Sequence, residues 1–338
     1  MREGIAIAAF TERGRELAEK LRAAFEEDRC SIRGQDEPLS DWTKEQFSAR
    51  RALLFIGASG IAVRAIAPYL AGKEQDPAVL VLDEDGRHVI PLLSGHLGGA
   101  NALALKIASL CGAEPVITTA TDLRGLFAAD LWAKAQNMHV LNPGAIRNVS
   151  GKILRGETIR IFCEWPVSGD PPSQVRLCED AEQADVLVTL YPPPENIDIQ
   201  LCLVPRVLTL GIGCKKNTGS DAMQRAFRDF CGDRRICPES FVQAASADRK
   251  EHEAGLLSFC EQNGWPVRFF RPDELEKATG VFTASAFVKE TLGVDNVCER
   301  SAVLCSGGKL IEKKYARDGI TFAVAATTPE LDWRTNEA

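Results

Sequence analysis

The feature that most constrains this chain is a repeated alternation between short apolar runs and longer amphipathic runs. In its first part, strands are predicted at Ile5–Phe10, Ala52–Ile56, Ala78–Leu82, His88–Leu93 and Pro115–Thr119. Helices are predicted between and after them, at Glu12–Glu27, Ile61–Leu70, Gly98–Cys111 and Phe127–Ala135. Strands that alternate with helices form largely parallel sheets covered by helices. The sequence therefore predicts an α/β fold.

The rest of the chain predicts a second α/β unit of the same kind. It begins at the strand-like run Val207–Cys214. Its further predicted elements are helices at Ser220–Phe230, Gly255–Gln262 and Ser285–Leu292 and strands at Val267–Phe270, Ala302–Cys305 and Thr321–Ala325. The composition changes after Asn142-Pro143-Gly144, where short strands at Thr158–Glu164 and Asp185–Leu190 are expected. We predict an N-terminal α/β domain over 1–141, a small middle α/β region over 142–205 and a C-terminal α/β domain over 206–338. Both outer units should have mostly parallel sheets, and the polar tail 328–338 should be frayed.

Composition and charge exclude several classes of protein. Of 338 residues, 45% are hydrophobic and 26% charged, which is typical of a soluble globular protein. The net charge of −7 argues against a general nucleic-acid binder. We find no apolar stretch long enough for a bilayer and no signal peptide, so a cytoplasmic protein without a membrane partner is expected. The eleven cysteines form no C-x-x-C pair, which favours buried reduced thiols and no protein-held metal.

A glycine-rich turn, Ser94–Asn101, follows the strand predicted at His88–Leu93. The carboxyl ends of strands are where α/β proteins usually bind ligands and perform chemistry. His96 in this turn could act as a general base on water, because its reference pKa of about 6.5 lies near neutrality. A purely structural role for His96 is an equally supported alternative. Ser94 is disfavoured as a nucleophile because the turn is not a G-x-S-x-G elbow, but Ser94 and Asn101 could contact a substrate.

Two other loops of the first unit carry polar groups. The turn Gly57-Ala58-Ser59-Gly60 opens a helix, where its N–H groups could bind an anion with help from Arg64. A simple tight turn is the alternative, since neither a Walker A loop nor a dinucleotide fingerprint is present. Thr119 and Asp122 close another strand, and they could bind polar substrate atoms or cap the next helix.

The loops of the second unit concentrate positive charge within an acidic protein. Gly213 leads into Lys215 and Lys216, which strengthens the case for an anion site. The charged stretch Ser246–Leu256 contains Lys250 and Glu253, although a solvated loop explains it equally well. Gly307 and Gly308 follow the strand predicted at Ala302–Cys305 and offer further N–H groups. This pattern suits a polyanionic small ligand better than a nucleic acid. Cys214 is a disfavoured nucleophile.

Taken together, the ordered motifs of this chain resemble the CbiG family of cobalamin biosynthesis, the cobalt-precorrin 5A hydrolases. The resemblance runs from about residue 50 to about residue 326. It rests on Phe55–Pro68, Asp76–Val79, Leu92–Asn101, Pro115–Asp122, Leu210–Lys215, Ser246–Leu256, Cys298–Ala302 and Ala316–Thr321. The family usually has an apolar residue where this chain has Arg249, and the middle region matches poorly.

The resemblance implies an enzyme that opens the ring A δ-lactone of cobalt-precorrin 5A and releases acetaldehyde, giving cobalt-precorrin 5B in the anaerobic route. The substrate is a macrocycle with acetate and propionate side chains. Its cobalt belongs to the substrate, so no separate cofactor is implied; neighbouring pathway enzymes are conceivable partners. On this basis the expected catalytic residues are His96, Asp122 and Glu253. The expected substrate-binding residues are Gly57, Ser59, Arg64, Ser94, Gly98, Gly99, Asn101, Thr119, Gly213, Lys215, Lys216, Lys250, Gly307 and Gly308, with the N–H groups of Gly98 and Gly99 stabilising an oxyanion.

Two other classes of function remain open at this point. A non-catalytic tetrapyrrole carrier would use the same cationic face but would not need His96. A nucleotide-dependent enzyme would use the glycine loops, although the missing nucleotide signatures count against it. Release of acetaldehyde from cobalt-precorrin 5A distinguishes the hydrolase from both of these alternatives.

Overall fold

The computed structural model of the protein describes residues 2–25, 29–72, 75–96, 98–119, 124–191, 200–284 and 294–335. The chain divides into two compact units, Met1–Leu131 and Trp132–Ala338, and each is described here by itself. The domain boundaries proposed from the sequence stay a prediction. No helix among the described residues is long and apolar enough to cross a membrane.

The first unit is built on a six-stranded sheet in the order β2-β1-β3-β4-β5-β6. Its strands are β1 (Ile5–Ala9), β2 (Ser31–Ile32), β3 (Ala52–Ile56), β4 (Ala78–Leu82), β5 (His88–Leu93) and β6 (Glu114–Pro115). All neighbouring strands are parallel except β4 and β5, which are antiparallel. Every residue of β1, β3 and β4 is buried, as expected for strands covered on both faces.

Helices cover both faces of this sheet. They are α1 (Glu12–Ala24), α2 (Leu39–Ala49), α3 (Ser59–Ile66) and α4 (Ala100–Cys111). One core packs α1 and α4 against residues such as Ile7 and Leu54, and a second core packs α2 and α3 against residues such as Phe55. Thr11 begins α1 by accepting a hydrogen bond from the Gly14 N–H through its side chain.

The second unit contains a small sheet in the order β10-β8-β11-β12-β7. Helix α5 (Ala129–Ala135) begins in the first unit and ends in the second. The following elements, up to residue 205, are β7 (Met138–Val140), α6 (Ile146–Leu154), β8 (Ile159–Cys163), β9 (Val167–Ser168), β10 (Val175–Leu177), β11 (Val186–Val188) and β12 (Leu201–Pro205). Strand β7 is antiparallel to β12, and the other neighbours in this sheet are parallel.

A larger sheet, in the order β15-β14-β13-β17-β16, forms the remainder of the second unit. The elements are β13 (Leu208–Cys214), α7 (Ser220–Arg234), β14 (Phe241–Ala247), α8 (Ala254–Gln262), β15 (Val267–Phe270), α9 (Pro272–Leu275), α10 (Cys298–Ser306), β16 (Lys309–Arg317), β17 (Ile320–Ala326) and β18 (Leu331–Asp332). Helices α7 and α8 cover one face, where Phe227 packs edge-on against Phe241, Phe259 and Trp265. Helix α10 covers the other face.

The α/β architecture with mostly parallel sheets in both units is confirmed, but some element predictions are wrong. Ala302–Cys305 lies in helix α10 rather than in a strand, because a short apolar run cannot distinguish the two structures. The strand predicted at Pro115–Thr119 ends after Pro115, where the pairing continues only through a hydrogen bond from the Val116 N–H to Val89 O. The helix predicted at Ser285–Leu292 lies outside the described residues.

The C-terminal tail is ordered rather than frayed as far as Arg334. Strand β18 pairs in parallel with β9, and the Trp333 ring stacks on the Trp132 ring with centroids 5.2 Å apart. The Trp132 Nε1–H donates to Asp332 O at 2.6 Å. The polar composition of the tail misled the prediction because two of its few apolar residues, Leu331 and Trp333, are a buried side chain and a ring stacked on Trp132.

Candidate functional site

The turn after β5 is closed tightly on itself. The N–H groups of Ala100 and Asn101 donate to the carbonyls of Ser94 and Gly95 at 3.1 and 3.0 Å, so the turn leads directly into α4. A Cβ atom at Gly98 would overlap Ser94 Cβ, which explains why glycine is needed there. Ser94 itself has a φ of +55°, a conformation that is uncommon for residues other than glycine.

His96 faces a carboxylate within the same unit. Its Nδ1 lies 3.3 Å from Asp130 Oδ2 on α5, and the two side chains are only 15% and 7% exposed. Sequence reasoning missed Asp130. The available signal was its position as a single carboxylate within the apolar run Phe127–Ala133, where the other described residues apart from Leu131 are buried. A histidine beside a buried carboxylate is an arrangement suited to accepting a proton.

The other predicted polar residues of this turn make contacts within the protein. Ser94 Oγ donates to Asp76 O at 2.9 Å, and Asn101 Nδ2 donates to Thr119 Oγ1 at 2.8 Å. The Gly99 N–H donates to His96 O at 2.9 Å, so in this structure it supports the turn rather than an oxyanion. These contacts show how the turn is held, while the substrate contacts assigned to these residues and to Gly98 stay predictions. Asp122 lies outside the described residues.

The glycine turn after β3 is also engaged with its own sheet. The Gly57 N–H donates to Leu82 O at 2.9 Å, and Ser59 is the first residue of α3. Arg64 lies one turn further along, with Nη1 3.5 Å from Gly60 O. The structure thus places Gly57, Ser59 and Arg64 at one helix start, and their anion-binding role stays a prediction.

A large open cavity of about 760 Å³ lies in the second unit. Its lining residues are Gly213, Cys214, Lys215, Lys216, Ser246, Ala247, Arg249, Lys250, Glu253, Asn296, Val297, Cys298, Lys314, Ala316, Gly319, Ile320 and Thr321. Five of these described residues are cationic and one is a carboxylate. The volume falls within the usual range for small-molecule sites, so we call this the cationic cavity.

The ends of neighbouring strands explain how these charges meet. Lys215 and Lys216 follow β13, and Arg249 and Lys250 lie in the short helical turn after the adjacent parallel strand β14. Lys314 comes from β16, whose hairpin with β17 forms another wall. The structure therefore brings together the predicted residues Gly213, Lys215, Lys216, Lys250 and Glu253. Sequence reasoning did not assign Arg249 and Lys314, because it missed strands β14 and β16.

Glu253 holds two loops of this cavity together. Its Oε2 accepts the Asn217 N–H at 2.9 Å, and its Oε1 lies 3.2 Å from Lys250 Nζ. The hydrogen bond from Asn217 is the main cause that lowers the pKa of the Glu253 carboxyl below its ordinary value. A lower pKa makes a weaker base, so the geometry favours a structural contribution here over proton transfer.

A buried carboxylate also fixes the position of Lys314. Glu299 on α10 is fully buried, and it accepts the N–H groups of Thr283 and Lys314, both at 2.7 Å. Asn296 is also buried and accepts the Glu299 N–H at 2.8 Å. The contact to Lys314 fixes the backbone of a strand that lines the cavity, and the contact to Asn296 connects α10 to a cavity-lining residue. Neither residue was singled out from the sequence.

The two cysteines of the cationic cavity are poor nucleophiles. Burial raises the pKa of the Cys214 thiol, and burial raises the pKa of Cys298 to about 11. The thiolate is the reactive form, so both groups are largely protonated at neutral pH. This agrees with the low expectation for Cys214. Within the described ranges, no group of three or more His, Cys, Asp and Glu side chains could hold a metal ion.

Gly307 and Gly308 lie elsewhere in the second unit. Gly307 ends helix α10 with a φ of +66°, and its N–H donates to Val303 O at 2.9 Å. The Gly308 N–H donates to Ser306 Oγ at 3.0 Å. Both glycines line a separate cavity of about 410 Å³ that also includes Trp165 and Lys309. The prediction that Gly307 and Gly308 follow a strand is wrong, because they follow helix α10. Their substrate-binding role stays a prediction.

Two family models and several relatives match this chain. The family models "Cobalamin synthesis G N-terminal" and "Cobalamin synthesis G C-terminus" match residues 41–122 and 208–325. The cobalt-precorrin-5A hydrolase of Salmonella typhimurium is 31% identical over 95% of this chain and 97% of its own length. The cobalt-precorrin-5A hydrolase of Priestia megaterium is 29% identical over 82% of this chain and 79% of its own length. A solved structure described as a cobalamin biosynthesis protein G homolog from Sulfolobus solfataricus has 23% identity and a TM-score of 0.41, covering 96% of this chain and 97% of its own.

Proposed function

Because this chain belongs to the CbiG family of cobalamin biosynthesis, we propose that it is a hydrolase whose substrate is cobalt-precorrin-5A. The observation that carries the proposal is the cationic cavity, with Lys215, Lys216, Arg249, Lys250 and Lys314 on its walls. A macrocycle with acetate and propionate side chains needs several cations placed around an open cavity. Ion pairs and charge-assisted hydrogen bonds would hold those carboxylates.

The one carboxylate that lines the cavity, that of Glu253, does not prevent this recognition by repelling the carboxylates of the substrate. Both oxygens of Glu253 already face internal donors, the Asn217 N–H and Lys250 Nζ. Lys215 is held at its backbone, where its N–H donates to Gly319 O at 3.1 Å, while its side chain lines the cavity. Because this part of the backbone is already fixed, less conformational entropy is lost when a substrate binds.

The proposed reaction begins with hydrolysis of the ring A δ-lactone. His96 accepts a proton from water as the water oxygen bonds to the lactone carbonyl carbon. Collapse of the tetrahedral intermediate breaks the ester C–O bond, which leaves a carboxyl group on the ring A side chain and a hydroxyl on the bridging carbon. The N–H groups of Gly98 and Gly99 were predicted to stabilise the oxyanion. Since the Gly99 N–H donates to His96 O, its participation requires the turn to rearrange.

The second step releases the two-carbon fragment. Removal of the new hydroxyl proton forms the carbonyl of acetaldehyde while the bond to the macrocycle breaks, and the macrocycle accepts the electron pair. His96 or Asp122 is proposed to take this proton. Cobalt remains part of the substrate throughout, so we propose no separate cofactor.

The test is a single-turnover reaction of the purified protein with cobalt-precorrin-5A, in which acetaldehyde is measured together with conversion of the macrocycle. We expect one equivalent of acetaldehyde and the cobalt-precorrin-5B product. Conversion of the macrocycle without acetaldehyde would contradict the second step.

A non-catalytic carrier is the second candidate, and one observation favours it. The cationic cavity is lined by residues between Gly213 and Thr321, so the second unit alone supplies a site for an anionic macrocycle. A carrier would bind cobalt-precorrin-5A tightly and release no acetaldehyde. The same experiment therefore distinguishes the two functions when binding is measured alongside the product.

A further inference from the structure

We propose that Asp130 positions the imidazole of His96 and fixes which ring nitrogen carries its proton, an inference that rests on His96 being the base of the proposed function. The distance between His96 Nδ1 and Asp130 Oδ2 is 3.3 Å. Asp130 would act through His96 and need not touch the substrate, so it is a positioning residue.

Burial distinguishes this pair from an ordinary surface contact. His88 Nδ1 lies 3.4 Å from Asp83 Oδ2 in the same unit, which is nearly the same separation. However, the His88 and Asp83 side chains are 52% and 38% exposed, against 15% and 7% for His96 and Asp130. Exposed pairs contribute little because water screens them, whereas a pair removed from water interacts more strongly.

The surroundings of Asp130 give a second argument. Asp130 is itself buried, and so are Ala128, Ala129, Trp132 and Ala133 beside it in sequence, so its carboxylate is largely removed from water. Burying a carboxylate costs free energy unless a partner compensates for the lost water. Facing His96 Nδ1 supplies such a partner, and the pairing lets the site keep a charge that would otherwise destabilise the fold.

The chemistry follows from the nitrogen that faces the carboxylate. A carboxylate at Nδ1 favours the neutral tautomer with its proton on Nδ1, which leaves the lone pair on Nε2. During lactone opening Nε2 takes one proton from water and the remaining hydroxide oxygen bonds to the carbonyl carbon, with no proton passing to Asp130. The carboxylate also stabilises the imidazolium that forms.

The wild-type protein itself provides the first test, through the ¹⁵N spectrum of its histidines at a pH where His96 is neutral. The chain has only four histidines, so the His96 signals can be assigned by comparison with His96→Asn. We expect His96 to be protonated on Nδ1. A spectrum showing the proton on Nε2 would overturn the inference, and no variant has to fold for that outcome to be read.

The second test compares Asp130→Asn with Asp83→Asn, which removes the carboxylate of the exposed pair. We expect Asp130→Asn to change the His96 tautomer population and to lower kcat about 10- to 1000-fold with KM nearly unchanged. Asp83 also accepts N–H groups from its own turn, so Asp83→Asn should lower thermal stability without lowering kcat. In His96→Asn, adding Asp130→Asn should cause little further loss of rate.

These measurements separate the failure of this inference from the failure of the proposed function. If Asp130→Asn leaves the His96 spectrum unchanged, the positioning role is wrong whatever the activity. If the spectrum changes but His96→Asn retains the wild-type rate, Asp130 does position His96, and the assignment of His96 as the base is wrong. If wild type releases no acetaldehyde, the spectra still test the pairing.

Discussion

The turn after β5 and the loop after β13 both follow a strand and lead into a helix, yet they differ in what their polar groups contact. In the first, Ser94, Asn101 and the Gly99 N–H all bond within the protein. In the second, Lys215 and Lys216 line an open cavity. Gly98 has no space for a Cβ atom, whereas a Cβ at Gly219 would meet nothing within 4 Å.

This difference teaches that similar sequence patterns can serve two separate requirements. The proposed general base, His96, needs a fixed orientation, which we propose that the closed turn and the Asp130 carboxylate, 3.3 Å from its Nδ1, provide. A site for a flexible polycarboxylate needs several cations that can adjust to their partners. If the proposed function is right, the reaction rate depends mainly on the turn after β5 and substrate affinity mainly on the loop after β13.

The largest expected effect concerns rate. His96→Ala should slow acetaldehyde release by about two to four orders of magnitude, because general-base catalysis is lost, while macrocycle affinity stays near the wild-type value. Single-turnover rates and a binding titration measure the two quantities. His88→Ala, in an exposed histidine of β5, is the control and should behave as wild type. A near-wild-type rate in His96→Ala would falsify the assignment and direct attention to Asp122 and Glu253.

The next effect concerns the rigidity of the closed turn. Gly98→Ala should lower the free energy of unfolding by about 1–3 kcal/mol, because the new methyl group overlaps Ser94. Gly219→Ala is the matched control, with an ordinary φ of −72°, and should change stability by about 0.5 kcal/mol or less. Urea unfolding measures both values. Equal stability losses at the two positions would remove the contrast between closed and open loops.

A smaller effect is expected on affinity. Changing Lys215 and Lys216 together to Ala should weaken macrocycle binding about 3- to 30-fold, from about 0.3–1 kcal/mol for each ion pair. Raised salt should weaken binding in the wild type and do so less in the double variant. The control removes two exposed lysines outside the cavity, Lys44→Ala with Lys277→Ala. Unchanged affinity in the Lys215 and Lys216 variant would point to an apolar site.

The smallest expected effect is on the pH dependence of folding stability, through Glu253 beside the loop after β13. Since the folded pKa of Glu253 is below its ordinary value of 4.5, its contribution to stability is present above that pH and is lost as pH falls through the folded pKa. The stability gap between wild type and Glu253→Gln should therefore shrink as pH is lowered below about 4.5. Thermal unfolding across pH measures this gap, with Glu251→Gln as a charge control. A gap that is constant with pH would show that the Asn217 contact does not depend on the charge.

The sequence predicted the fold best where strands are buried on both faces. Continuous apolar runs such as Ala52–Ile56 and Ala78–Leu82 match β3 and β4 in every residue. The prediction failed for Ala302–Cys305, because Cys298, Ala302 and Cys305 form one buried helical face that a four-residue window does not contain. Strand β16 was missed since it is an edge strand with several charged residues and no buried one, so it lacks a continuous apolar run.

The parts of the candidate site that lie within a single loop could be predicted from the sequence. Lys215, Lys216, Lys250 and Glu253 were recognised from local charge, and the structure brings them to one cavity. Asp130 could not be paired with His96 from the sequence, because only the tertiary fold places the start of α5 beside the turn after β5. Glu299 was missed for the same reason, since its two N–H donors come from distant segments.

The stacked rings of Trp132 and Trp333 also give the protein an optical reporter of its own. Two indoles 5.2 Å apart with planes 17° from parallel couple their electronic transitions, so the pair should contribute a circular-dichroism signal that neither ring gives alone. Detachment of the last strand would abolish this signal before the rest of the second unit unfolds. Pairing of β18 with β9 can thus be followed without an added label.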